Sequence, residues 1–221
     1  MKINRVVDLS VTLSADTQVY PGDPVVSLTP HSTIARDGFN LLAVTMGSQS
    51  GTHVDAPFHF DDATPRIDAV PLERFIGEGV IVDARDAGPR GRITTAHLAP
   101  VVDRLQPGRI VLLRTGWSTR YGTAAYFDHP YLEAEACALL LERGIRTIGI
   151  DAVNLDETPD DAHAGVGFPC HHLIAEVGGV IIENLTNLDA IVSEHPLISV
   201  MPLKLEAADG APVRAVAIEH D

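Results

Sequence analysis

The most regular part of this 221-residue sequence reads RIVLLR at residues 109–114, YLEAEACALLLER at 131–143 and IRTIGI at 145–150. The first and last runs are short, apolar and rich in β-branched residues, which is typical of buried strands. The middle run carries its apolar residues at a helical spacing, and Gly144 fits the end of that helix. A strand, a helix and a strand in this order predict a parallel βαβ unit at about 109–151.

Short apolar segments on either side of this unit predict further strands at 41–46, 79–84, 179–183 and 197–205. Residues 94–105 favour a short helix with a Thr cap, interrupted by a proline near its start. Asp209-Gly210 indicates a hairpin turn between 197–205 and 213–218. The fold class that follows is a mixed-sheet α/β domain that is richer in strand than in helix.

The composition is that of one globular domain, which we place at residues 1–221. Apolar residues make up 45% of the chain and charged residues 21%, both ordinary values for a protein with a full core. The 30 acidic and 16 basic residues give a formal charge of −14. Nucleic acids and anionic membrane surfaces are therefore poor partners, because both attract clusters of Lys and Arg.

The cysteines and the N-terminal segment favour a cytoplasmic protein. Cys137 and Cys170 are too few for a disulfide framework. Residues 1–5 lead directly into an apolar segment without the core of a signal peptide. No window approaches the roughly 18 consecutive apolar residues of a membrane-spanning helix.

Side chains that carry chemistry are concentrated in QSGTHVDAPFHF at residues 49–60. If residues 49–55 are extended, alternate side chains share one face, and Gln49, His53 and Asp55 would converge there. Imidazole nitrogen combined with carboxylate oxygen suits zinc, manganese or iron. The alternative is a polar strand face on which each His is simply hydrogen-bonded.

Two further residues of this segment shape the expected site. Gly51 lies between the candidate ligands and would leave open space beside them. Pro57 cannot continue a central strand, so the chain is expected to turn there. His59 follows that turn and could approach the same pocket without binding a metal.

The pattern Gly-Thr-His-x-Asp-x-Pro-x-His at residues 51–59 resembles the signature of the metal-dependent cyclase-like hydrolases, which include bacterial kynurenine formamidase and isatin hydrolase. Segments 115–117, 149–151 and 183–188 are similar to later blocks of that family, so the resemblance covers nearly the whole chain. It implies a β/β/α swivelling type of fold, assembly as homodimers or homotetramers, and a small-molecule substrate.

The resemblance also implies roles for five residues. The acid/base would be His59, and the metal ligands would be His53, Asp55, His171 and Glu183. His172 is the neighbouring alternative to His171, and the register favours His171. From the residues alone, a carboxylate that ends the apolar run 179–183 needs a partner or a metal, although a salt bridge or a cap would also satisfy Glu183.

Gln49 stands where the family signature has its first His. A neutral amide oxygen is a weaker zinc ligand than imidazole, which leaves three outcomes open. Gln49 binds a metal through its oxygen, one metal position is weak or lost, or the metal is harder, such as manganese. We therefore expect one or two divalent ions per chain, Zn²⁺ or Mn²⁺.

Asp151, Trp117 and Cys170 are further candidates. Asp151 follows a parallel strand, where α/β proteins place their sites, but an Asx turn or a helix cap is the favoured explanation. Trp117 is a candidate for lining an aromatic-substrate pocket, with core packing or a subunit contact as the alternative. Cys170 as a nucleophile would need an oriented base, which adjacency to a histidine does not supply.

The chemistry implied by the resemblance is metal-dependent hydrolysis of an amide or formamide, with N-formyl-L-kynurenine as the leading substrate. The metal would activate water and polarise the carbonyl, and His59 would transfer the proton. One alternative is ring opening of a cyclic amide or lactone. The other is a non-catalytic metal-binding or ligand-binding module, which Gln49 favours and an intact His59 disfavours.

Overall fold

The computed structural model describes residues 2–221. The strands are β1 (Ile3–Asp8), β2 (Ser27–Ser32), β3 (Leu41–Thr45), β4 (His53–Asp55), β5 (Ile76–Asp83), β6 (Arg92–Ile93), β7 (Ile110–Arg114), β8 (Tyr131–Leu132), β9 (Thr147–Ile150), β10 (Val180–Glu183), β11 (Leu197–Ser199), β12 (Gly210–Pro212) and β13 (Val216–His220). The α-helices are α1 (Ile34–Asp37), α2 (Thr95–Leu98), α3 (Ala134–Glu142) and α4 (Pro169–Glu176).

Nine of these strands form one mixed sheet in the order β1-β13-β11-β5-β7-β9-β10-β4-β12. The four central strands, β5, β7, β9 and β10, run parallel to one another. The remaining strands add to both sides in antiparallel fashion. A single strand-rich α/β domain is therefore observed, as the sequence predicts, and β7, α3 and β9 form the predicted βαβ unit.

The core lies on both faces of this sheet. In β7 the side chains of Val111 and Leu113 belong to one apolar cluster, whereas Ile110 and Leu112 belong to the other. Burial on both faces explains why the central strands read as continuous apolar runs instead of alternating ones. None of the helices in residues 2–221 has the length and apolar character needed to cross a bilayer.

Two predicted helices are shorter in the structure, one because its first residues hydrogen-bond to other segments and the other because of a proline. Tyr131 and Leu132 donate their backbone N–H groups to Gly91 and Leu155, so α3 begins only at Ala134. In segment 94–105 the Thr94 cap is present, but the α-helix ends at Leu98 and continues as a 3₁₀ helix over Ala99–Arg104. Pro100 in that stretch lacks the N–H that an α-helix requires.

The two segments of the predicted hairpin do pair, since Leu197–Ser199 lies antiparallel to residues 216–218, but the predicted tight turn at Asp209-Gly210 is wrong. Gly210 begins β12, which pairs with β4 at the far edge of the sheet, Gly210 lying opposite Asp55. The predicted strand 197–205 ends at Ser199. The Asp-Gly signal is local, and pairing with a distant strand overrides it here.

The buried His129 holds two loops together through both ring nitrogens. Nδ1 lies 2.8 Å from the Pro130 carbonyl oxygen, and Nε2 lies 2.8 Å from the Thr158 hydroxyl oxygen. A neutral ring satisfies both contacts, with Nδ1 donating and Nε2 accepting. Burial lowers the pKa of His129 to about 4.

We therefore predict that the free energy of unfolding falls as the pH drops from about 6.5 to about 4. In this window the unfolded chain binds a proton at residue 129 and the folded protein does not, so low pH favours unfolding. The loss attributable to this residue is at most about 3 kcal/mol. Urea denaturation of wild type and His129→Gln across this range measures it. Parallel pH dependence in the two proteins would contradict the assignment.

Candidate metal centre

Two neighbouring strands bring three of the predicted ligands together. In β4, His53 and Asp55 are two residues apart and share one face, while Val54 points into the apolar core. Strand β10 runs antiparallel to β4 and places Glu183 directly opposite His53. All three polar side chains are buried. The register of one strand pair therefore assembles the centre of the site.

The fourth predicted ligand comes from helix α4. His171 lies in the first turn of that helix, and its Nε2 is 3.4 Å from Glu183 Oε1 and 3.7 Å from Asp55 Oδ2. His172 is exposed on the same helix. Of the two adjacent histidines, the structure thus brings His171 to the carboxylates.

The ligand atoms are close enough to hold one ion. His53 Nε2 lies 3.2 Å from Asp55 Oδ1 and 3.6 Å from Glu183 Oε2, and the ligand atoms of these three residues lie within 4.8 Å of one another. Two imidazole nitrogens and two carboxylates form a donor set that suits zinc, manganese or iron.

Three buried atoms in this cluster make no hydrogen bond within residues 2–221, namely His53 Nε2, Asp55 Oδ1 and Asp55 Oδ2. Leaving such groups without a partner in a dry environment is costly. A divalent cation would satisfy all three at once. The residues present therefore fit a metal ion at this position.

The ring orientations of both histidines are set by their other nitrogens. His53 Nδ1 lies 2.9 Å from the Gly51 carbonyl oxygen, and His171 Nδ1 lies 2.7 Å from Asp156 Oδ2. When each Nδ1 donates, Nε2 is left as the nitrogen that faces the carboxylates. Metal-binding histidines are commonly oriented in this way.

The ionisation of the cluster follows from its mixed charges. Burial opposes a charged His53, but Asp55 and Glu183 raise its pKa to about 9. Burial likewise opposes a charged His171, but hydrogen bonding, first of all to Asp156, raises its pKa well above the ordinary value. Burial alone would raise the pKa of Asp55, whereas His53 and His171 lower it. Without a cation, protons on the imidazoles compensate the buried carboxylates.

Asp156 is a functional residue that the sequence reasoning missed. Its carboxylate accepts hydrogen bonds from the backbone N–H groups of Cys170 and His171 as well as from the His171 ring. It thereby caps helix α4 from outside and orients the ligand in the first turn. The available signal was its position in the loop after the parallel strand β9, where α/β proteins place their sites.

The segment before β4 is a turn and not an extended strand. Gly51 has φ +67°, a conformation that favours glycine. A Cβ at this position would lie 2.7 Å from Leu13 Cδ2, so the glycine allows close packing and does not open space beside the ligands. Its carbonyl accepts from His53 and from the side-chain amide of Asn184.

His59 and Gln49 meet at Asp209, the residue that the sequence predicts to lie in a turn. His59 ends the short 3₁₀ helix that Pro57 begins, and its Nδ1 lies 3.3 Å from Asp209 Oδ2. Gln49 Nε2 lies 2.9 Å from the same carboxylate oxygen and 3.2 Å from His59 Nδ1. In this structure the Gln49 amide nitrogen thus faces Asp209 and His59.

A cavity of about 410 Å³ opens onto these groups. It combines three aromatic rings with eleven polar or charged side chains, and its concave shape and volume suit a small molecule. Its lining residues are Gln18, Tyr20, Asp23, Pro24, Gly47, Ser48, Gln49, His53, His59, Phe60, Val153, Asn154, Phe168, His171, Glu183, Asn184 and Asp209.

Three other sequence candidates lie outside this cavity. Trp117 is packed in the core, and its indole N–H faces the carbonyls of Ala125 and Tyr126. Asp151 accepts hydrogen bonds from the backbone N–H and hydroxyl of Thr115 and from the backbone N–H of Gly116, and these long-range bonds tie the end of β9 to the loop after β7. Cys170 is buried, and its pKa is raised by hydrogen bonding to Cys137 and by burial, so it is not a poised thiolate.

Sequence comparison establishes the family. The sequence model described as "Putative cyclase" matches residues 7–157. The chain is also 34% identical to the kynurenine formamidase of Bacillus mycoides (strain KBAB4), and the alignment covers 98% of each protein. The chain belongs to the cyclase family. The resemblance inferred from residues 51–59 is therefore confirmed.

Solved structures that are similar to this chain have the same fold. Isatin hydrolase A from Labrenzia aggregata, bound to benzyl benzoate, matches with a TM-score of 0.87 and 27% identity over 98% of this chain and 94% of that one. A potential metal-dependent hydrolase with cyclase activity matches with a TM-score of 0.79 and 25% identity, covering 98% and 99% of the two chains. These similarities confirm the predicted enzyme class, a metal-dependent hydrolase.

The contact between Asp156 and His171 generates a prediction about metal affinity. Asp156→Asn removes the charge that orients the His171 ring, and we expect the affinity for Zn²⁺ to fall about 10- to 100-fold. Competition with a chromophoric chelator measures this change. Asp161→Asn, an exposed position of the same loop, is the matched control. Equal affinities of the two variants would exclude this role for Asp156.

Proposed function

We propose that this protein hydrolyses an aryl formamide, with N-formyl-L-kynurenine as substrate and kynurenine and formate as products. The observation that carries the proposal is a buried cluster of His53, Asp55, His171 and Glu183 that shares one cavity with His59. Similarity to kynurenine formamidases over 98% of the chain supports this substrate.

A divalent cation held by these four residues would activate water and polarise the scissile carbonyl. His59 is the proposed acid/base. It takes the proton of the attacking water and delivers one to the aryl nitrogen as the C–N bond breaks. Burial lowers the pKa of His59, but hydrogen bonding to Asp209 together with the charges of Asp55 and Asp209 outweighs burial and raises this pKa, which favours a ring that holds a proton for the leaving group.

The cavity walls suit the two ends of the proposed substrate. Phe60, Phe168 and Tyr20 offer aromatic surface for the aryl ring. Asp23 also lines the cavity, and we propose that its carboxylate pairs with the substrate ammonium group. Burial raises the pKa of Asp23, so the pairing also relieves the cost of a partly desolvated carboxylate.

The proposal extends to features that the family resemblance implies. Residues 1–221 form one hydrolase domain of the β/β/α swivelling type. The ion is Zn²⁺ or Mn²⁺, with one strong position per chain formed by the four ligands. The protein is cytoplasmic and assembles as a homodimer or homotetramer.

A second candidate is hydrolytic ring opening of a cyclic amide or lactone. The similarity in fold to isatin hydrolase A, with a TM-score of 0.87, favours it. Comparing formate release from N-formyl-L-kynurenine with ring opening of isatin distinguishes the two functions. The non-catalytic binding module has no such support, because the full-length relative named above is an enzyme.

Purified, metal-replete protein is expected to release formate from N-formyl-L-kynurenine and to lose this activity in the presence of a chelator. His59→Ala should lower kcat about 100- to 10,000-fold and leave the metal content unchanged, since this ring is not a proposed ligand. Formate assays and elemental analysis provide the two measurements.

His163→Ala, at an exposed histidine that does not line the cavity, is the matched control and should retain activity. If His59→Ala turns over the substrate as fast as wild type, His59 is not the acid/base. If metal-replete wild type releases no formate, the assignment of N-formyl-L-kynurenine as the substrate is wrong.

A further inference from the structure

Four side chains form a hydrogen-bonded group next to the ligand cluster, and we call it the Asp209 group: Ser48, Gln49, His59 and Asp209. Ser48 Oγ donates to Asp209 Oδ1 at 2.7 Å, and Gln49 Nε2 donates to Asp209 Oδ2 at 2.9 Å. His59 Nδ1 lies 3.3 Å from the same Oδ2. All four residues line the cavity.

The chemistry of these groups determines which atoms donate. An ionised carboxylate only accepts hydrogen bonds, so the end of the Gln49 amide that faces Asp209 must be the NH₂ group. An ionised carboxylate cannot donate, so Asp209 favours a proton on His59 Nδ1. Gln49 Nε2 also lies 3.2 Å from Nδ1, but its shorter contact of 2.9 Å is to Asp209, and we therefore assign the proton to Nδ1. The pKa of Asp209 is lowered, chiefly by its contact with His59, which keeps the carboxylate in its accepting form.

A proton held on Nδ1 has a direct consequence for the other ring nitrogen. In the neutral ring, Nε2 then carries the lone pair and is the nitrogen that can accept a proton. When Nε2 becomes protonated, the adjacent carboxylate stabilises the resulting imidazolium. A carboxylate that orients a histidine and supports its charged form is a recurrent arrangement in acid/base catalysis.

We propose that Asp209 is the positioning residue of His59, and that Gln49 acts as a hydrogen-bond donor that holds Asp209 in place. The inference rests on the proposed function in that His59 is the acid/base. It places the side-chain amide of Gln49 beside the residues that transfer the proton and not among the metal ligands. Gln49→Ala should then retain the bound metal and lower kcat.

Solvent exposure limits the loss of kcat that we expect when Asp209 is changed. The side chains of His59 and Asp209 keep 32% and 34% of their exposure, so water screens their interaction in part. We expect Asp209→Asn to lower kcat about 10- to 100-fold, less than the roughly 10,000-fold loss when a fully buried partner of a catalytic histidine is changed. KM and metal content should stay within about twofold.

A double-mutant cycle tests whether Asp209 acts through His59. If it does, Asp209→Asn has no further effect on kcat in a His59→Ala background, because the ring it positions is absent. Independent, additive losses would overturn the proposal, as would loss of metal from Asp209→Asn. Asp86→Asn is the matched control, since Asp86 also lies 3.3 Å from a histidine nitrogen, that of His97, but outside the cavity.

A second measurement is independent of the substrate. In zinc-loaded, ¹⁵N-histidine-labelled protein, NMR at a pH where the ring is neutral reports which nitrogen carries the proton, with His59→Gln identifying the signal. We expect the Nδ1–H form in wild type and a shift toward the Nε2–H form in Asp209→Asn. An Nε2–H form in wild type would overturn the proposal. If formate release fails while the Nδ1–H form is observed, the substrate assignment is wrong and the positioning role stands.

Discussion

Two carboxylates, Asp55 and Glu183, are buried on adjacent strands at the centre of this protein. Burial of ionised carboxylates is costly unless charges and hydrogen bonds compensate it. Two imidazoles supply part of that compensation, and three ligand atoms still make no hydrogen bond within the described chain. A divalent cation would neutralise the charge that remains in this site, which agrees with an enzyme of the metal-dependent hydrolase class.

The apolar core sets the geometry of this charged centre. Val54 and Ile182 are paired between β4 and β10 and point into the same apolar cluster. Because side chains alternate along a strand, a slip of one residue would turn His53 and Asp55 into the core and expose the valine between them. The hydrophobic register and the ligand register are thus the same constraint. The pairing of β4 with β10 therefore both stabilises the sheet and assembles the site.

The polar groups divide into two functional halves around one cavity. On one side, the Gly51 carbonyl and Asp156 orient the two imidazoles toward the carboxylates. On the other side, the Asp209 group surrounds His59. At the position where the family resemblance implies a histidine, the Gln49 side-chain amide donates a hydrogen bond to the Asp209 carboxylate.

The amino-acid sequence alone predicted the βαβ unit at 109–151, because its periodicity is a local property. The signature at 51–59 indicated the family, and the resemblance to that family implied His53, Asp55, His171 and Glu183 as ligands. Only the tertiary structure decided that Asp156 orients His171 and that Asp209 contacts His59. It also decided that Trp117 packs in the core and that Gly210 pairs with β4. The physical reason is that these contacts join residues distant along the chain, and packing across the sheet, not neighbouring sequence, brings them together.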